Sequence, residues 1–246
     1  MTRIRYGATK AALRSTLAGA ALGLLCASGA QAALVDRGGG LIYDTVQDIT
    51  WLADLNHAQT QYNQSGGAVG NATGQMNWLA ANLWASDLVY GGYTDWRLPT
   101  VMQPDTACSD TFDPGGAQPL QYYGYGCTGS EMGHLFYSDL GGHANESLLD
   151  ATGDSAGEIA NLALFTNVQN GLYWTSSHYG PNALHAWTFF TFDGAQGVYN
   201  KGFELSALAV RRGDSVGTVA EPSAAALVLL ALGLMSGQMC GLRPRG

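Results

Sequence analysis

Two short apolar runs, Leu41-Ile42-Tyr43-Asp44 and Ile49-Thr50-Trp51-Leu52, flank Thr45-Val46-Gln47-Asp48. The pattern predicts a β-hairpin with a four-residue connection, entered from the flexible Gly38-Gly39-Gly40. Residues 61–75 are rich in Asn, Gly, Gln and Ser, lack periodicity, and read as a loop. Met76, Leu79, Ala80 and Leu83 then recur at helical spacing. They predict a helix that starts near Thr73 as N-cap, ends before Gly91-Gly92 and lays this stripe on a sheet. From 104 to 129 Gly, Pro, Tyr and Asp follow one another without a period, as in an irregular insertion. Thr128-x-x-Glu131 has the form of a capping box, with Met132, Leu135 and Phe136 on the inward face of a short helix. Beyond a polar stretch at 138–160, strands are predicted at 172–176, 186–192, 197–199 and 207–211, with Asp193-Gly194 as a turn. Helices early and strands late indicate an α+β fold, with short helices packed on antiparallel strands and long irregular loops. No internal repeat is visible.

The two ends follow different rules. Arg3, Arg5, Lys10 and Arg14 precede an uncharged run from Ser15 to Leu25, which closes on Ala30-Gln31-Ala32. This is the plan of a secretory signal, too short for the roughly 20 residues of a membrane span, and it predicts a mature start at Ala33. Cys26 follows Leu25 rather than the small residue a lipoprotein signal uses. At the other end Glu221-Pro222 leads into an apolar stretch from Ala224 to Leu242, closed by Arg243 and Arg245, as in a stop-transfer segment. The expected organisation is a signal at 1–32, one domain at 33–214, and a linker, apolar membrane segment and basic tail at 215–246.

Charge narrows the partners. Residues 33–220 carry five Lys and Arg against 18 Asp and Glu, a net charge of −13. Such a surface repels nucleic acid and sulfated polysaccharide, both polyanions, and suits neutral ligands or cations. Of four cysteines, Cys26 lies in the signal and Cys240 in the tail, so Cys108 and Cys127 are left to pair in an oxidising compartment. Closing that loop stabilises by about 3 kcal/mol in the chain-entropy model.

Three segments carry a resemblance. Gly91-Gly92-Tyr93-Thr94-Asp95-Trp96-Arg97-Leu98-Pro99-Thr100, then Leu172-Tyr173-Trp174-Thr175-Ser176-Ser177, and Ala186-Trp187 leading to Ala209-Val210-Arg211 together resemble the Lcl C-terminal domain family of bacterial surface proteins, which includes a collagen-like adhesin. Their order is also similar to that of the formylglycine-generating and C-type-lectin-like superfamily. The resemblance implies a C-type-lectin-like α+β fold with a long irregular loop, and by itself no function. The oxidase chemistry of the formylglycine-generating relatives uses late cysteines, and none stands between Cys127 and Cys240. The C-terminus is similar to the PEP-CTERM sorting signal, with Ala220 in place of its first proline before Glu221 and Pro222. That resemblance implies a sorting protease of the exosortase type, an inner-membrane-anchored precursor, and a final place at the cell surface or in an extracellular matrix.

Candidate chemistry is sparse. Asp95 and Arg97 could clamp a ligand, but an ion pair locking the motif of Asp95, Trp96, Arg97, Leu98, Pro99 and Thr100 is the expected role, with Tyr173 and Trp174 also structural. Trp51, Trp78 and Trp187 are expected in the core beside Trp174. Glu131-x-x-His134 has the spacing of half a carboxylate-bridged metal site, yet no second copy is present, and capping accounts for Glu131. His143, His178 and His185 lie far apart in sequence with no zinc spacing, and no metal site is expected. Gln103-Pro104-Asp105 matches a tripeptide that C-type lectins use for calcium and sugar, without their second acidic cluster, and Asp44 and Asp48 read as solvated turn acids. Calcium is thus the one cofactor to consider. No nucleophile elbow, P-loop or dinucleotide turn occurs.

What remains is aromatic. Tyr122, Tyr123 and Tyr125 crowd beside Gly124 and Gly126 inside the stapled insertion. They either stack on sugar rings or cover the domain's own sheet. The expectation is a non-enzymatic, envelope-associated binding or adhesion module for a polysaccharide or surface glycan, with a structural matrix protein as the alternative and an enzyme third.

Overall fold

The computed structural model describes residues 34–215. The signal segment and the sorting tail with Glu221 and Pro222 lie outside the described residues. Among those described, no helix is long and apolar enough to cross a membrane.

The domain is α+β, mostly strands with a few short helices. The predicted hairpin forms as β2 (Leu41–Asp44) and β3 (Ile49–Leu52), with Ile42 opposite Trp51. Strand β1 (Leu34–Asp36) adds to one side of it and the late strand β11 (Val210–Arg212) to the other, giving a four-stranded antiparallel sheet. A five-stranded sheet runs in the order β4 (Gln75–Met76), β10 (Leu205–Ser206), β7 (Leu172–His178), β8 (His185–Phe190) and β9 (Gln196–Asn200). One pairing in it is parallel, between β10 and β7. Of the run read as one strand at 207–211, only Val210 and Arg211 are strand, in β11, and the residues before them link β10 of one sheet to β11 of the other. Ala207, Leu208 and Ala209 cross between them fully buried, and the two alanines leave room for the close approach.

Helix α1 (His57–Gln64) occupies part of the stretch read as a loop. Only His57 and Ala58 of it are buried, so its sequence carries no apolar stripe to reveal it. Helix α2 (Trp78–Ser86) starts later than expected, with Asn77 as N-cap accepting from the Ala80 N–H at 3.0 Å. Its face is also turned. Leu79 and Leu83 are 64% and 53% exposed, whereas Ala81 and Ala85 are buried. The indoles decide this orientation. Trp78 donates to the Thr175 carbonyl, Trp84 to the Gln61 side chain and Trp174 to the Met76 carbonyl, each at 2.8 Å. Small alanines at the contact let the helix sit down on Trp174.

Helix α3 (Glu131–His134) continues into a π-helical turn (Leu135–Asp139), and Met132, Leu135 and Phe136 face the core as the pattern predicts. The capping box assigned to Thr128 and Glu131 does not form. Ser130 is the N-cap without a side-chain cap bond, and its hydroxyl accepts from Met102 N–H at 3.0 Å. The capping box of this fold lies in the stretch read as merely polar. Ser155 and Glu158 satisfy each other's backbone at the start of α4 (Ala156–Leu162).

The three segments that carried the resemblance meet in space. Gly91 and Gly92, both at positive φ, make the two-residue turn between Tyr90 and Tyr93. Arg97 then exchanges both backbone hydrogen bonds with Val210, and the Pro99 carbonyl accepts from Ser176 N–H, all at 2.8 Å. Trp96 and Leu98 are buried between.

Candidate functional site

Asp95 and Arg97 do not pair with each other. Arg211 holds Asp95 through two hydrogen bonds of 2.8 and 3.1 Å, which keeps that carboxyl below its usual range. Arg211 also lies over the Tyr93 ring, 3.9 Å from its centroid. Arg97 forks onto Glu131 at 2.7 and 2.8 Å, and the Thr100 N–H adds a third bond to the same carboxylate at 2.6 Å. Their charges are consumed in joining the motif to β11 and to α3. Tyr173 and Trp174 are fully buried in β7.

Cys108 and Cys127 are bonded, with their Cα atoms 4.2 Å apart. Inside the loop they close, β5 (Asp110–Phe112) and β6 (Gln121–Tyr123) form a small hairpin with Phe112 opposite Gln121. The Gln103-Pro104-Asp105 segment is committed to holding it. The Gln103 carboxamide donates to the Tyr122 carbonyl at 2.6 Å and accepts from Tyr122 N–H at 2.9 Å. Asp105 is buried, and its two oxygens accept from Ala107 N–H at 3.1 Å and Gly129 N–H at 2.9 Å.

The hairpin docks on the exposed edge of the five-stranded sheet. Gly124 and Gln196 exchange backbone bonds of 2.9 and 2.7 Å. Gly124 sits at φ +90°, a conformation that favours glycine, and a Cβ there would stand 2.4 Å from Ser109 Oγ within the insertion itself.

The three tyrosines are not one surface. In a strand successive side chains point to opposite faces. Tyr122 therefore faces Gln103, Pro104 and Leu120, while Tyr123 turns the other way, and Tyr125 lies beyond the strand with its N–H on Ser109 Oγ at 2.9 Å. Tyr123 joins Phe112 and Gln121 from the hairpin with Tyr179, just past the end of β7, and Trp187, Gly197 and Val198 of the sheet around a cleft of about 180 Å³. Trp187 is buried at its floor, and Tyr179 meets it edge to face with ring centroids 5.5 Å apart. Phe112 and Tyr123 form exposed walls. Phe112 and Tyr179 carried no signal in the sequence, and Trp187 was read only as core, because only the docking of the hairpin brings the three together.

On the opposite face of β8 and β9 a second group of rings is exposed. Phe190 stacks on Phe192 at 5.6 Å, and Tyr199 meets Phe190 at 6.3 Å and Phe203 at 5.4 Å. Of the five cations, Arg37 pairs with Asp214, Arg97 with Glu131 and Arg211 with Asp95, whereas Lys201 lies against Trp78 and His178.

Fold and site together define an α+β domain with a disulfide-stapled insertion and an aromatic cleft where that insertion meets a sheet edge. In comparison with known proteins, no family model, no curated protein and no solved structure matches the chain.

Proposed function

We propose that this chain is an exported, non-enzymatic binding module of C-type-lectin-like type, which acts at the cell surface or in the extracellular matrix and takes a ring of a neutral polysaccharide into the aromatic cleft. The observation that carries this reading is the convergence of Phe112, Tyr123, Tyr179 and Trp187 on one concavity with the Gln121 carboxamide. Aromatic faces pack against the apolar face of a sugar, and the tyrosine hydroxyls and the amide supply hydrogen bonds. The cleft is smaller than the roughly 300–1,000 Å³ of a drug-sized pocket. That size suits one ring of a chain or a terminal residue. Its lining holds no carboxylate, imidazole or thiol, which favours binding over catalysis. With three of five cations in ion pairs and 18 acids between 33 and 220, the surface favours a neutral partner over a polyanion. The lectin-like assignment is supported by the pairing of the domain's last strand into the sheet of its first strands and by the long stapled loop on the other sheet. On the same reading, the segment from Glu221 onward is the handle by which an exosortase-type protease sorts the protein.

The test is binding of Phe112→Ala with Tyr123→Ala, against wild type, to neutral polysaccharide purified from the producing organism, with thermal unfolding as a control. Each lost ring contributes on the order of 1 kcal/mol, so the double variant is expected to bind at least about tenfold more weakly with its unfolding temperature kept. Phe192→Ser with Phe203→Ser on the opposite face is expected to bind as wild type. If only the second pair weakens binding, the site is the outer aromatic face. If wild type binds no polysaccharide at all, the domain is a structural matrix component.

A further inference from the structure

A second cluster lies where the β2–β3 hairpin meets helix α3. Asp44, fully buried at the end of β2, accepts N–H bonds from Val46 and Gln47 on Oδ1, both 2.9 Å, and the Gln47 amide on Oδ2 at 2.7 Å. The same amide reaches the Glu131 carbonyl at 3.2 Å, so hairpin and helix are held in register. His134 closes α3 and Asp139 closes the π-helical turn that follows. Residues five apart on an α-helix do not face each other. The wider turn, closed by the Leu140 N–H on the Leu135 carbonyl at 3.0 Å, brings Asp139 back beside His134.

One donor atom from each of Asp44, His134 and Asp139 lies within 4.8 Å of the other two. Two buried atoms in this space have no hydrogen-bond partner, Asp139 Oδ2 and His134 Nε2, 3.7 Å apart. Asp139 is only 3% exposed. An unpartnered oxygen on a buried carboxylate is costly, and a second buried carboxylate nearby makes it more so.

We propose that Asp44, His134 and Asp139 bind a divalent transition-metal ion, zinc foremost. One imidazole nitrogen and two carboxylate oxygens belong to the ligand set that zinc takes at about 2.0–2.2 Å. Calcium requires six to eight oxygens, more than this cluster offers. Three protein ligands leave a fourth position, and the partly exposed His134 side chain marks the way in. The ion ties the N-terminal hairpin to α3, a cross-link that the sequence spacing of Glu131 and His134 does not show, because Glu131 belongs to Arg97.

The experiment uses the full chain purified without an affinity tag, stripped with chelator and titrated with Zn²⁺, with Mn²⁺ and Ca²⁺ in parallel, by calorimetry and thermal unfolding. One Zn²⁺ per chain is expected, with the unfolding temperature raised by about 5–10 °C when free metal exceeds Kd a hundredfold. His134→Gln and Asp139→Asn are each expected to abolish the rise. Without metal, Asp139→Asn should unfold at or above the wild-type temperature, since the amide removes a buried charge; this shows that the variant is folded. Absence of a Zn²⁺ or Mn²⁺ response in wild type overturns the proposal, as does a full response in Asp139→Asn or a response to Ca²⁺ alone.

Discussion

Removing the carboxylate of Glu131 is the most informative single perturbation of the fold. Three donors converge on it, two from the Arg97 fork and one from the Thr100 N–H, at 2.6–2.8 Å. The side chains are 31% and 15% exposed, so the pair is neither a surface bridge nor fully desolvated. Exposed pairs contribute about 0–1 kcal/mol, while breaking a buried pair costs about 3–5 kcal/mol. Glu131→Ala leaves the partly buried guanidinium without its counter-charge, held only by the Leu98 carbonyl at 3.1 Å, and the Thr100 amide without this acceptor, and we expect a loss of about 2–3 kcal/mol. For a domain of this size that corresponds to roughly 5–10 °C in unfolding temperature. Glu131→Gln, which keeps an acceptor for Thr100, should lose about half as much. The assay is urea denaturation of a double-mutant cycle with Arg97→Met, where a coupling of about 1–2 kcal/mol is expected. If the two substitutions add within about 0.5 kcal/mol, the pair is not what holds the motif to α3, and Glu131 acts on its helix alone.

Two further outcomes follow from the packing and the charges. Leu79→Lys with Leu83→Lys should leave stability within about 0.5 kcal/mol, whereas Ala81→Leu, on the face pressed against the sheet, should cost about 1–3 kcal/mol by the same denaturation measurement. Burial pushes Asp54 up, but His57, Thr60 and Asn167 side chains and the Asn56 N–H outweigh it and hold the carboxyl at about 2, below its ordinary 3.8. Because the folded value is the lower one, its stabilisation is complete above about pH 4 and disappears as pH falls through 2. Asp54→Asn should therefore flatten the stability-against-pH curve in that window and leave its upper part parallel to wild type.

The hairpin at 41–52 and the strands near 172, 186 and 197 were legible as short β-rich runs bounded by turn residues, although Ile49–Leu52 is buried at every position, and Met132, Leu135 and Phe136 because their burial follows the helical period. Helix α2 was misread for a physical reason. A helical-period count treats Leu79 and Trp78 as equivalent, whereas the indole of Trp78 has a hydrogen bond to make at Thr175 and Leu79 has none. The helix turns to satisfy the polar atom, and the leucines face solvent. Glu131 shows the same limit. A capping signature is local, but a guanidinium 34 residues away offers more than an N-cap hydroxyl, and Ser155 with Glu158, where no arginine competes, keeps its box.

The candidate site lay beyond the sequence for a related reason. Tyrosine crowding at 122–125 pointed to the right segment, yet strand alternation splits the three residues, and the rings that complete the cleft come from β5, from β8 and from Tyr179 just past the end of β7. What joins them is the need to cover an edge. Strand β9 would otherwise present its backbone at the end of the sheet, and the stapled hairpin caps it through Gly124 and Gln196. The bridge between Cys108 and Cys127 closes the loop, and Gln103 and Asp105 spend their polar atoms on its backbone, so the hairpin is held from both ends before any ligand arrives. A wall ordered in advance loses little entropy on binding. The device that protects the sheet edge from pairing with another chain is thus the one that pre-forms the cleft, and loosening it should weaken the binding proposed for the cleft and expose the edge together.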